Sequence, residues 1–148
     1  MRSAWLLASA LGLCAPLTQA ADAVTDGVAL FAQHCAACHQ ADGSGTVGLA
    51  PSLQGAHWQR LGADRNYLAQ VITHGLSGLI VVNGQRFVGS MPAFAGQLND
   101  AQLATIATHL QGLQQRPGPA YSAEEIASAR SSAGSPPQSR ALRVQLLK

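Results

Sequence analysis

Three side chains within five positions carry the strongest chemical signal in the chain: Cys35, Cys38 and His39, in the order Cys-Ala-Ala-Cys-His. Two thiols three residues apart sit about one helical turn from each other. The two vinyl groups of a haem need two sulfur attachment points at a fixed separation, and its iron needs a ligand directly beneath. C-x-x-C-H meets both needs and is an attachment signature for haem c. Two other chemistries use similar residues. A zinc site commonly takes four Cys or His ligands in paired knuckles, and no second C-x-x-C occurs in the chain. A thioredoxin-like dithiol sits near a βαβ pattern and has no use for the following histidine. A further soft donor stands downstream in Ser90-Met91-Pro92-Ala93-Phe94: the Met91 thioether can bind iron, and Pro92 stiffens its loop.

The flanking sequence predicts the elements that hold these groups. A first helix is expected from about Asp26 to Cys38, with Val24, Val28, Phe31 and Cys35 as its apolar stripe. Gly43, Gly45 and Gly48 make Ala41–Ala50 a loop. In His57-Trp58-Gln59-Arg60, the Trp58 indole N–H wants an acceptor when buried. One reading gives it a haem propionate, with Arg60 as a second donor; the other is an aromatic lid beside a solvated arginine. Asp64 caps a second helix that ends at Gly75, with Tyr67, Leu68, Val71 and Ile72 on one face. Ile80-Val81-Val82 and Arg86-Phe87-Val88 flank Asn83-Gly84-Gln85, a hairpin signal whose register Gln85 leaves open.

A last helix of the compact part is expected near Asn99–Gly112, with Asn99 and Gln102 as a capping box and a Leu98–Leu103 staple. Pro117-Gly118-Pro119 ends that part. Ser122 and Glu125 form another capping box, starting a short helix to about Arg130. Ser131–Ser139 reads as a mobile Ser/Pro-rich link, and Ala141–Lys148 as an apolar segment that docks back as a helix or serves a partner.

Bulk properties set bounds. With 148 residues the chain makes one domain and a tail, and 5% aromatic content is thin for a well-filled core. A buried haem, itself a large flat hydrophobe, would supply the missing apolar bulk. A net charge of +2 without a basic cluster argues against a nucleic-acid partner. Met1–Ala20 reads as a secretory signal: Arg2, an apolar run over Ala4–Leu13, and Thr18-Gln19-Ala20 before the cut. The run is too short to span a bilayer comfortably, so no stable membrane span is expected after its removal. The mature chain then keeps two cysteines, Cys35 and Cys38, and one methionine, Met91.

The Cys35–His39 signature, Met91-Pro92 and the pair Gly27 and Phe31 together resemble the class I c-type cytochromes, small monohaem proteins with His and Met axial ligands. The resemblance covers Asp26–Gly112 well and the tail weakly. It implies an all-α cytochrome c fold, the N- and C-terminal helices crossing beside the haem, with a small β-hairpin inserted before the ligand Met and covering one haem edge. Gly27 and Phe31 match the residues that let those helices approach; His109 stands where the family often has a large aromatic. Cys35 and Cys38 are implied to be the haem thioethers, His39 the proximal ligand and Met91 the distal one. The Pro51 carbonyl is implied to accept the other ring N–H of His39, fixing its tautomer.

The domain plan is a signal over 1–20, a cytochrome domain over 21–116 and a partly mobile extension with one short helix over 117–148. The implied function is electron transfer, not catalysis. The chain would be a periplasmic carrier, or the haem subunit of a dehydrogenase or oxidase, taking electrons from a dehydrogenase and passing them to an oxidase or another cytochrome. The alternative is a gas sensor or haem enzyme in which Met91 is displaceable. A third arrangement exchanges Met91 for His57 or His74.

Overall fold

The computed structural model describes residues 26–148. The expected leader Met1–Ala20 and Val24 lie outside the described residues.

Asp26 starts α1 (Gly27–His34): its carboxylate accepts from the backbone N–H of Val28 at 2.9 Å and Ala29 at 3.3 Å. The chain breaks at Cys35 and resumes as α2 (Ala36–His39), so the single helix expected to Cys38 is two pieces. The buried face differs from expectation at Val28. Phe31 is buried as expected, with Leu30 beside it, while Val28 is 61% exposed. The reason is Gly27. A Cβ there would lie 2.7 Å from the Thr105 carbonyl oxygen and 2.8 Å from His109 Cβ, so the glycine side of α1 meets its partner helix.

That partner is a long helix over Asp100–Leu113. Asn99 and Gln102 form the full capping box, and Leu98 and Leu103 are both buried at its start. Its inner stripe is Leu103, Ile106 and Leu110. Phe31 stacks at a tilt on His109, ring centroids 5.2 Å apart, so the imidazole fills the place where an aromatic was expected. Between the crossing helices in sequence come α3 (His57–Leu61) and α4 (Arg65–His74). Asp64 caps α4, and Gly75 ends it at φ 78°.

The strands β1 (Leu76–Val82) and β2 (Gln85–Met91) follow, paired antiparallel from Leu76 opposite Met91 to Val82 opposite Gln85. Asn83 and Gly84 alone make the turn, both at positive φ (49° and 79°), and Gln85 belongs to the strand. This two-residue turn suits the strand twist and settles the register. Seven-residue strands make the class mixed, helices with one two-stranded antiparallel sheet among the described residues; the all-α expectation was too narrow.

The Asp100–Leu113 helix is α5. The tail then adds α6 (Ala123–Ser131) and α7 (Pro136–Leu146). The capping box of Ser122 and Glu125 is present as expected. The extension carries the short helix expected after Ser122 and a second one, α7, which takes in most of the Ala141–Lys148 segment and starts earlier than that segment: Pro136 and Pro137 lie in its first turn, where their missing N–H groups have no helical partner to lose. α6 packs on α4 and α5, and α7 on β1 and α4. Among the described residues no helix is long and apolar enough to cross a membrane.

Candidate cofactor site

The turn that carries the thiols is clamped by the loop after it. The Gly45 N–H donates to the His39 carbonyl at 2.9 Å, and the Thr46 hydroxyl to the Cys38 carbonyl at 2.8 Å. Thr46 and Ala50 then bridge, which delivers Pro51 beside the imidazole. His39 is buried, and its Nδ1–H donates to the Pro51 carbonyl oxygen at 2.9 Å. That bond commits Nδ1 as the protonated nitrogen and leaves the Nε2 lone pair free. Burial holds the imidazole pKa below its usual value, against the opposing effect of the Pro51 bond, so the ring is neutral at physiological pH. Burial, with the neighbouring Cys38 sulfur adding to it, pushes the Cys35 thiol up to about 11. Cys35 thus stays an uncharged thiol at neutral pH.

These groups border a cavity of about 200 Å³ lined mostly by apolar side chains. Phe31, Leu68, Ile72, Leu103, Ile106 and Leu110 bring α1, α4 and α5 to its walls. The sheet turns one face to it, since Leu76, Gly78, Ile80 and Val82 alternate along β1 and Phe87, Gly89 and Met91 along β2. Met91 therefore reaches the same cavity as Cys35, Cys38 and His39, from the end of a strand. Gly75 makes that end possible: a Cβ there would lie 2.6 Å from the Met91 carbonyl oxygen. Beyond it, the Phe94 N–H donates to the Ile72 carbonyl at 3.0 Å, anchoring the Met-Pro segment to α4.

Trp58 is 5% exposed, lines the cavity, and its Nε1 has no hydrogen-bond partner among the described residues. Arg60 does not join it. On α3 the inward positions are Trp58 and Leu61, three apart; Arg60 lies between them on the opposite side, exposed and away from the cavity. The guanidinium at the cavity is instead Arg143 on α7, which sequence reading passed over. Its only signal was an arginine between Leu142 and Val144 in an apolar tail segment. His57 also borders the cavity; burial first, then the Arg143 charge, lowers its pKa. His74 does not border it and donates through Nε2 to the Ala129 carbonyl at 2.8 Å, so the exchange of Met91 for His74 loses its geometric basis. Among the described residues no three His, Cys, Asp or Glu side chains gather as a metal-binding group.

The comparisons agree with this chemistry. The family model described as cytochrome C oxidase, cbb3-type, subunit III matches residues 22–110. Cytochrome c-552 of Thermus thermophilus is 40% identical over 90 residues, which are 60% of this chain and 60% of that one. The gluconate 2-dehydrogenase cytochrome c subunit of Pantoea cypripedii is 38% identical over 88 residues, 58% of this chain and 19% of that one. The cbb3-type cytochrome c oxidase subunit CcoP of Cereibacter sphaeroides is 36% identical over 90 residues, 60% of this chain and 27% of that one. The chain thus spans only part of the length of each relative.

Fold, cavity and matches define a c-type cytochrome, with covalently bound haem c and its iron as cofactor. Within that class, the chain belongs to the family of subunit III of the cbb3-type cytochrome c oxidases. The residues present fit the group: an apolar cavity, two thiols and a tautomerically fixed imidazole in its wall, a thioether at a strand end, and an indole N–H that lacks an acceptor among the described residues.

Proposed function

We propose that this chain is an exported single-haem electron-transfer protein with the cytochrome c fold, acting as a carrier or as the haem subunit of a dehydrogenase or oxidase. One observation carries the reading. A single cavity is bordered by Cys35, Cys38, His39 and Met91, and the His39 tautomer is fixed by Pro51 so that Nε2 is the nitrogen available to a metal. When bound, the haem supplies one-electron exchange between ferric and ferrous iron. Cys35 and Cys38 are assigned as its thioether tethers, His39 and Met91 as its axial ligands, and Trp58 as a donor to a propionate. Thioether sulfur is a poor donor to ferric iron, so Met91 favours the reduced state and raises the potential.

The protein's own part is to hold, orient and exclude. The cavity walls are mostly apolar, and the bonds around the Cys35–His39 turn hold the imidazole in place. Cys38, Leu49, Ser90 and Pro92 line the cavity and are exposed, so it opens to solvent there. That opening is the natural docking face for a donor or acceptor, which needs only a small transient contact. Residues 21–116 form the haem module in this reading and 117–148 its extension. Met1–Ala20 directs export, and the periplasm is the compartment where donor dehydrogenases and acceptor oxidases or cytochromes would be met.

A reduced pyridine haemochrome spectrum of the purified protein tests the tethers, and should show haem c. A redox titration and the ferric methionine–iron charge-transfer band test the axial pair. A reduced spectrum unchanged by carbon monoxide is expected; a large shift would replace electron transfer with gas binding at an iron that Met91 does not hold.

A further inference from the structure

Arg143 is 4% exposed. Its two nearest hydrogen-bond partners are neutral and far for such bonds: Tyr67 Oη at 3.4 Å from Nη1 and the Val81 carbonyl oxygen at 3.3 Å from Nη2. Neither offsets a full positive charge. The ion pairs among the described residues are Arg65 with Glu125 and Arg130 with Asp100; no carboxylate pairs with Arg143. An arginine keeps its proton in any protein interior, so it cannot escape by neutralising. Burying a guanidinium without an opposite charge is strongly unfavourable, and structures that do it normally hold an anion nearby.

The missing anion has a place. Arg143 borders the haem cavity and, among the described residues, is the one Lys or Arg that does. Trp58, whose buried Nε1 has no acceptor among the described residues, borders the same cavity, and Trp58 and Tyr67 stand 6.0 Å apart, centroid to centroid. A cation and an unused neutral donor in one cavity wall fit a carboxylate, which accepts from several donors and forms paired bonds with the planar guanidinium fork. α7 is held against β1 and α4. Ser139, one turn before Arg143, is buried, and Arg140 lies across Gly78 of β1, where a Cβ would meet its Cδ at 3.1 Å.

We infer that the C-terminal extension completes the cofactor site, with Arg143 of α7 as the counter-ion of a haem propionate and Trp58 Nε1 as a second donor to it. Arg143 lies outside residues 22–110, which the family model covers. The extension is then a part of the cofactor-binding machinery attached to the module. The inference rests on the haem assignment above. It makes Arg143 a cofactor-binding residue that tunes the haem through charge: a buried cation nearby stabilises the added electron of the reduced state.

The test uses the intact haem-loaded protein. Arg143→Gln is expected to keep the wild-type haemochrome spectrum while its midpoint potential falls, and Arg143→Lys to recover part of that fall. A role in helix packing alone would not be rescued by charge. A crystal structure of the wild-type holoprotein is the independent measurement, and should place the Arg143 guanidinium within hydrogen-bond distance of a propionate oxygen. An unshifted potential in a well-loaded Arg143→Gln protein, or a holoprotein in which Arg143 meets no propionate, overturns the inference and leaves the haem assignment standing. Should Arg143→Gln fail to fold, the holoprotein structure decides alone. Wild-type protein without covalent haem would overturn both.

Discussion

The part of the chain from α1 to α5 and the extension over 117–148 are held together differently. In the first, helices meet through apolar side chains and close backbone approach: Leu30, Phe31, Leu103 and Ile106, with Gly27 allowing the crossing. In the second, a small apolar seam of Tyr121, Ile126 and Ala129 is surrounded by arginines. Arg65 forks onto Glu125 at 2.7 and 2.9 Å and lies 4.0 Å over the Tyr121 ring. Arg130 reaches Asp100 at 2.7 Å and the Leu98 carbonyl at 2.9 Å. The module depends on filling space, and the extension on satisfying charge. Each should fail under a different perturbation.

The largest effect expected is on the module. With Cys35 and Cys38 both changed to Ala, haem is not tethered, and a cavity of about 200 Å³ is left without its filling. At roughly 24 cal/mol per Å³ this costs about 5 kcal/mol, comparable to a whole domain's net stability. Near-UV circular dichroism should show lost tertiary packing, with much helix retained in the far-UV. A cooperatively folded, haem-free double variant would break the comparison. Next comes Ile126→Ala. Ile126 is fully buried between α6 and the α4–α5 face, and its truncation should cost about 2–5 kcal/mol in denaturant unfolding. Protease cleavage should then begin in the extension while the Cys35–Met91 region stays protected. Third, Gly27→Ala puts a methyl 2.7 Å from the Thr105 carbonyl oxygen and should lose about 1–3 kcal/mol by forcing α1 off α5. An unchanged unfolding midpoint would mean that the crossing tolerates a wider gap.

The same contrast explains what could be read from sequence. The Cys35–His39 turn, the Asn99–Gln102 capping box, the Asp64 cap and the Gly75 stop are local, and each was visible within a few residues. The stripe of α1 was read correctly at Phe31 and Cys35 and wrongly at Val28, since apolar residues fall on both sides of the helix and local spacing does not say which side meets α5. The hairpin register turned on whether Gln85 sat in the turn or the strand. Arg60 and Arg143 show the limit most clearly. Both are arginines within reach of an aromatic or apolar stretch, but which one meets the cavity depends on α7 folding back over β1. No spacing rule encodes that contact.

The smallest effect, and the one specific to the extension, is acid sensitivity. Glu125 has its carboxyl held below the usual carboxylate range, first by the hydrogen bond from Arg65. A pKa lower in the folded than in the unfolded chain means that the unfolded state binds the proton more readily. The stabilisation is therefore fully present above the unfolded carboxyl value, near 4.5, and drains away as pH falls through the lower folded value. The pair is partly exposed, so the effect is modest and weakens with salt. Glu125→Gln should flatten this part of the pH dependence, lowering stability slightly at pH 6 and hardly at all near pH 3. Unfolding midpoints of the two proteins at those pH values, at low and high salt, measure it. If the difference were the same at both pH values, it would not come from the Glu125 charge, and the view of the extension as held by charge would have to rest on Arg130 and Asp100 instead.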